Sequence, residues 1–348
     1  MDTRDEEDVV LENTPTEEST PVPPSFPRVS PVPVLPQLSV ALGLLVFVFG
    51  VTYIGASKQM TAEQVPDVRV ETLPTPVSKS VAHVESAFDD IRIGAEGAIV
   101  WDITTQRVIF NKNADEQFPL ASITKLMTAL VAYELLNPDD SVFISQRSLL
   151  ESGDSGFIDG EEFTVQNLMD LTLISSSNDG AFALGARAGE AITTSDSESA
   201  FVTAMNLRAE ELGLDNTIFK NTTGLDISAT TPGAYGSARD VAHLMEYMLL
   251  NASDVVIQTS QESTQVINED GAAHLAHNTN TDVHDIQGLI ASKTGYTPLA
   301  GGNLVIAFNA GLNRPVVVVV LGSTPSGRFE DVRALVTETR KYIENENK

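Results

Sequence analysis

Residues 118–136 read FPLASITKLMTALVAYELL. Ile123, Leu126, Met127, Leu130, Val131 and Leu135 recur at helical spacing, which predicts a buried helix over Ser122–Leu136, stopped by Pro138. Ser122 falls at the predicted start, close to unsatisfied backbone N–H groups and the positive end of the helix dipole. Lys125 follows three residues later, on the same face one turn away. A serine hydroxyl is a weak nucleophile unless a neighbouring base takes its proton. A lysine can be that base only where burial or a second cation lowers its pKa, and an apolar helix provides burial. Alone, the pair reads equally well as a helix cap and a surface lysine.

Working outward, strands are predicted at both ends of the region and helices between them. Residues 97–103, GAIVWDI, read as a strand, with Arg107–Phe110 as its hairpin partner. Helical patterns follow at Val165–Ile174, Asp179–Ala188, Glu198–Leu212 and Ala238–Leu250. Strand-like runs return at Ile286–Ser292, Asn303–Asn309 and Arg314–Leu321, and Arg328–Ile343 reads as a closing helix. Val316–Val320 is an unbroken valine run, the pattern of a central strand buried on both faces. The expected architecture is α/β: an antiparallel sheet assembled from both ends, an inserted helical subdomain, and a functional cleft between them.

Two further motifs carry possible chemistry. Ser176-Ser177-Asn178 lies at a polar break between two apolar helices. Its side chains would point into a cleft, or would simply end one helix and cap the next. Lys293-Thr294-Gly295 is read as ending a strand. The lysine is a fixed cation for a carboxylate, and the glycine would let a substrate backbone approach an edge strand. Among five histidines (His83, His243, His274, His277, His284), His274 and His277 have a ligand-like spacing but are read as lying in a Gly/Asn/Asp-rich loop with no third ligand, so no metal is expected.

The 348 residues carry 21 Lys+Arg against 48 Asp+Glu, a net charge of −27, which argues against nucleic acid as a partner. There is no cysteine, so thiolate metal sites, disulfides and cysteine nucleophiles are excluded. Residues 1–37 hold eight of the 17 prolines and a net charge of −6, and read as a disordered acidic tail. Residues 38–56, LSVALGLLVFVFGVTYIGA, are uncharged and would span about 28 Å as a helix, the length of a transmembrane anchor. A cleaved signal peptide is the alternative, but the run is long and no A-x-A site follows. Arg28 on one side against Lys58 and Arg69 on the other gives only a slight charge bias, toward a cytoplasmic domain. Residues 57–80 read as a polar linker, and 81–348 as one domain.

In this order, S-x-x-K, S-x-N and K-T-G form the signature of penicillin-binding proteins and serine β-lactamases. The stretches FPLASITKLMTALVAYELL, LISSSNDGAFALG, FKNTTGLD, SARDVAHLM and SKTGYTPLAGGNLV resemble the serine-type D-alanyl-D-alanine carboxypeptidases, the low-molecular-mass penicillin-binding proteins, from about Ala95 to Tyr342. The resemblance implies a β-lactamase/transpeptidase-like fold and removal of the terminal D-alanine from peptidoglycan stem peptides, with β-lactams as covalent inhibitors and no cofactor or metal. It implies Ser122 as nucleophile, Lys125 as base and Ser176 as proton relay, with Asn178 orienting substrate. Lys293 and Thr294, beside Gly295, would bind the terminal carboxylate, with Arg328 assisting. The backbone N–H groups of Ser122 and Tyr296 would form the oxyanion hole. The chain ends after the closing helix, so the C-terminal β-rich domain and amphipathic anchor of many members are expected to be absent, with the 38–56 span as replacement. Peptidoglycan lies outside the cytoplasmic membrane, which places the domain outside and the tail inside a bacterial cell. Endopeptidase or transpeptidase action on cross-linked peptide would use the same residues. A class A-type β-lactamase fits less well, because Ser177 replaces the usual Asp and no E-x-x-x-N loop is evident. A non-catalytic binding module would not require a base beside the serine.

Overall fold

The computed structural model describes Phe88 and residues 90–346. The expected tail, membrane span and linker lie outside the described residues. Among the described residues no helix is long and apolar enough to cross a membrane.

Five antiparallel strands form the main sheet: β1 (Gly97–Asp102), β2 (Arg107–Lys112), β3 (Leu289–Thr297), β4 (Gly301–Asn309) and β5 (Pro315–Ser323). Their spatial order is β3-β4-β5-β1-β2, so β5 is central and pairs with β4 on one side and β1 on the other. The valine run follows from this place. Val316, Val318 and Val320 pack on one face with Val332, Leu335 and Val336 of the closing helix α6 (Gly327–Glu346). Val317 and Val319 point the other way, into the core shared with the helical part. All five are fully buried, and β-branched side chains suit both faces of a pleated sheet.

The inserted helices are α1 (Lys125–Leu135), α2 (Val165–Ile174), α3 (Asn178–Ile192), α4 (Ser197–Glu211) and α5 (Ala238–Asn251). Sheet from both ends and helices between is the arrangement the sequence implied. The start of α2 coincides with its expectation because Thr164 caps it, accepting from the Asn167 N–H. α1 is buried on every side from Leu126 to Ala132, as befits a helix at the centre of a core.

Three expectations need correction. Ser122 does not open the α-helix. It lies in a 3₁₀ turn, Ala121–Thr124, and α1 begins at Lys125. The tightened turn accompanies a left-handed Ala121 with φ of 49°. The third motif does not end its strand, because β3 runs from Leu289 through Thr297 and carries Lys293-Thr294-Gly295 inside it. The His274–His277 stretch is no open loop but one strand of a hairpin, Ser263–Ile267 paired with Ala273–His277. There the His274 ring is hydrogen-bonded to the buried Glu161 carboxylate.

Candidate active site

The sheet edge at β3, the 3₁₀ turn and the break between α2 and α3 converge. The break is tightly built. α2 ends at Ile174, Ser176 takes a left-handed backbone (φ 61°), and Ser177 caps α3 by accepting from the Gly180 N–H at 3.0 Å. Left-handed backbone costs a non-glycine residue about 1–2 kcal/mol and persists only where neighbours enforce it. Here it turns the Ser176 side chain toward β3, while the cap fixes Asn178 at the first helical position.

Lys125 Nζ lies 2.9 Å from Ser122 Oγ, 2.7 Å from Asn178 Oδ1 and 2.8 Å from the carbonyl oxygen of Thr223. Lys125 is fully buried, and that burial pushes its pKa down to about 7. A neutral amine has two N–H donors and one lone pair. Carbonyl and side-chain amide oxygens only accept, so the two N–H groups go to Asn178 and Thr223. The lone pair is left facing the Ser122 hydroxyl, which is the geometry of a general base beside its nucleophile.

On the opposite side, Lys293 Nζ donates to Ser176 Oγ at 2.8 Å and to the Thr294 carbonyl at 3.1 Å. Its pKa is held well below the usual lysine range, first by burial, then by the neighbouring charges of Lys125 and Arg328. An anion arriving here would restore the balance. The Thr294 hydroxyl pairs with that of Thr279 at 2.6 Å. Arg328 donates to the Gly295 carbonyl at 2.8 Å and stacks over Phe329, so it stands behind β3. Burial lowers its pKa, and its Nε has no hydrogen-bond partner among the described residues. Tyr296 follows on β3 with a half-exposed side chain.

Gly295 also has a packing task. A Cβ there would lie 2.8 Å from the Leu120 carbonyl oxygen and 3.3 Å from Ile123. The missing side chain admits the turn that carries Ser122. Gly224 faces the same turn from the other side with φ of 78°, and a Cβ would come within 1.9 Å of the Ala121 carbonyl oxygen.

The structure thus brings Ser122, Lys125 and Asn178 into one cluster and Ser176 and Lys293 into another, with Thr294 and Gly295 on the same strand. Sequence reasoning missed the loop that completes it. Asn221 Oδ1 accepts from the Gly224 N–H at 2.7 Å and its Nδ2 donates to the Leu225 carbonyl at 2.9 Å. This shapes the turn that offers the Thr223 carbonyl to Lys125. The only signal was FKNTTGLD, where Asn followed by Gly marks a shaped turn. Beside this cluster runs a cleft of about 1140 Å³ bordered by Ser152, Thr223, Asp226 and Thr297. Ser152 also accepts from Asn178 Nδ2 through its carbonyl.

The D-alanyl-D-alanine carboxypeptidase family model matches residues 82–324. The D-alanyl-D-alanine carboxypeptidase DacF of Bacillus subtilis is 35% identical over 248 residues, 70% of this chain and 61% of that protein. This chain therefore spans less than two thirds of DacF. The D-alanyl-D-alanine endopeptidase of Escherichia coli is 30% identical over 256 residues, 71% of this chain and 77% of that one. Penicillin-binding protein D2 from Listeria monocytogenes, in its ampicillin-bound form, superposes with a TM-score of 0.59 at 25% identity, covering 72% of this chain and 98% of that one. The fold is that of the penicillin-binding proteins, and with the three motifs gathered at one sheet edge the chain belongs to the D-alanyl-D-alanine carboxypeptidase family.

Proposed function

We propose that this protein is a serine peptidase that removes the terminal D-alanine from peptidoglycan stem peptides. The observation that carries the reading is the buried Lys125 amine, whose one free direction meets Ser122 Oγ. Ser122 Oγ attacks the carbonyl carbon of the penultimate D-alanine while Lys125 takes the hydroxyl proton. The backbone N–H groups of Ser122 and Tyr296 stabilise the oxyanion that forms. Collapse breaks the peptide bond. The departing amine of D-alanine receives the proton that Lys125 took, relayed through Ser176, which leaves Lys125 neutral again and an ester on Ser122. Water then attacks the ester as Lys125 removes its proton, and that proton returns to Ser122 Oγ as the ester bond breaks and the shortened peptide leaves. Lys293 and Thr294 hold the terminal carboxylate of the substrate, and Asn178 orients its amide. Arg328, behind β3, adds positive potential to the carboxylate site through its place beside Lys293.

β-Lactams acylate the same serine, a reading supported by the ampicillin-bound relative. Cross-linked peptide is the second reading, favoured by the Escherichia coli relative named as an endopeptidase, most of whose length this chain covers. The uncharged 38–56 run supports anchoring in the bacterial cytoplasmic membrane with the catalytic domain outside, where the substrate lies.

The test is D-alanine release from a diacyl-Lys-D-Ala-D-Ala tripeptide by the full chain beside Ser122→Ala. The reading predicts release by the first and none by the second. Release only from a cross-linked peptide dimer would favour endopeptidase action, and equal release by both proteins would overturn the proposal.

A further inference from the structure

Asn303 is fully buried on β4, directly opposite Gly295 of β3. Residues paired across an antiparallel ladder project from the same face. Gly295 projects nothing, and the space is filled by the turn that carries the nucleophile. The Asn303 side chain reaches into the same place. Its Nδ2 donates to the Pro119 carbonyl at 2.9 Å and to the Leu120 carbonyl at 3.0 Å.

Which way the amide faces is fixed by the sheet itself. The register of β4 on β5 shifts between Gly302 and Leu304, so that Leu321 and Gly322 together oppose Asn303. Gly322 is left-handed at the bulge (φ 68°), and its N–H goes to Asn303 Oδ1 at 2.9 Å. A bulge of this kind leaves a ladder donor unpaired and re-aims side chains, commonly beside functional sites. With the oxygen engaged by an N–H, both amide hydrogens must point at the two carbonyls. Two hydrogen bonds therefore tie the central sheet to residues 119 and 120, immediately before Ser122 and the left-handed Ala121, and a third, from Gly322, fixes the amide that makes them.

We propose that Asn303 is a positioning residue for the nucleophile: with Gly295 it forms a cross-strand device that holds the Pro119–Ala121 backbone against the sheet, so that Ser122 Oγ stays within reach of Lys125 Nζ. This rests on the acyl-transfer reading of the site. Asn303 touches neither the hydroxyl nor the amine, so its effect must appear in the rate of bond formation. Reversible binding at Lys293 and the protonation of Lys125 should not change.

The experiment measures ampicillin acylation of the full chain by stopped-flow, separating the reversible constant from the acylation rate constant, across pH 5 to 9. Asn303→Leu keeps the size and adds no charge but removes both donors to the two carbonyls. The acylation rate constant is expected to fall about 30- to 100-fold, with the reversible constant within threefold and the pH midpoint unmoved. Asn303→Ala serves if the leucine variant does not fold, with thermal midpoints recorded for both. Acylation within threefold of the parent in a folded variant overturns the proposal. So does a loss shared equally by reversible binding, or a displaced pH midpoint. Failure of both variants to fold would make Asn303 a fold residue and overturn it as well. A parent that is acylated yet releases no D-alanine would refute the carboxypeptidase reading and leave this test intact.

Discussion

Lys125 Nζ stands 2.9 Å from Ser122 Oγ, and two acceptors, Asn178 Oδ1 and the Thr223 carbonyl, take its other hydrogen-bond directions. The amine therefore meets the hydroxyl with its lone pair only when it is unprotonated. An ordinary lysine would be neutral in fewer than about one molecule in a thousand at pH 7. Burial brings this one down to about 7.

The pH dependence follows with a definite sign. Below pH 7 the amine is protonated and cannot accept the Ser122 proton, so acylation should fall about tenfold per pH unit. The rate–pH profile is expected to show an acid limb with its midpoint near 7. A flat profile from pH 5 to 9, or a midpoint near 10, would contradict the assignment. Lys125→Arg, always charged, should lose acylation by about 10³-fold or more.

Adjacent serines should separate function from stability. Ser177 caps α3 and pairs with Ser155 at 2.6 Å, so Ser177→Ala is expected to cost about 1 kcal/mol in urea unfolding while kcat stays within about threefold. Ser176 is left-handed and meets Lys293. Ser176→Gly relieves the backbone and is expected to leave stability unchanged or raise it by up to about 1 kcal/mol, while kcat falls about 10- to 100-fold. The reverse pattern would exchange the two roles.

Gly224 and Gly160 are both left-handed, but only one is crowded. At Gly224 a Cβ would lie 1.9 Å from the Ala121 carbonyl oxygen, whereas at Gly160 nothing among the described residues lies within 4 Å. Gly224→Ala should destabilise by about 3 kcal/mol or more and slow acylation at least tenfold, because Ala121 and Thr223 must both move. Gly160→Ala should cost about 1 kcal/mol and leave acylation alone. Equal effects in paired unfolding and acylation assays would show that the Gly224 contact does not shape the site.

What the sequence made legible depended on side chains that announce their task. Val316–Val320 announced a central strand because both of its faces are buried. Ser122, Lys125, Ser176, Asn178 and Lys293 stood out because each motif pairs a reactive group with a spacing. The Ser263–Ile267 hairpin did not, since each of its strands buries one apolar residue, Val266 or Ala276, and gives no alternation to read. The Thr223 carbonyl was invisible for a different reason: a backbone oxygen has no residue identity. Asn303 and the packing task of Gly295 depend on a cross-strand register and a bulge, which arise only when β3, β4 and β5 are assembled.

The central claim is that Ser122 is the acylated residue, and it is tested most directly by locating the covalent adduct. The full chain would be incubated with ampicillin, quenched in acid, digested, and mapped by mass spectrometry. The account predicts one ampicillin-derived acyl group, on the peptide carrying Ser122 and on that side chain, and none in Ser122→Ala. An adduct on Ser176 instead, or an unmodified Ser122 in protein that still releases D-alanine, would contradict it.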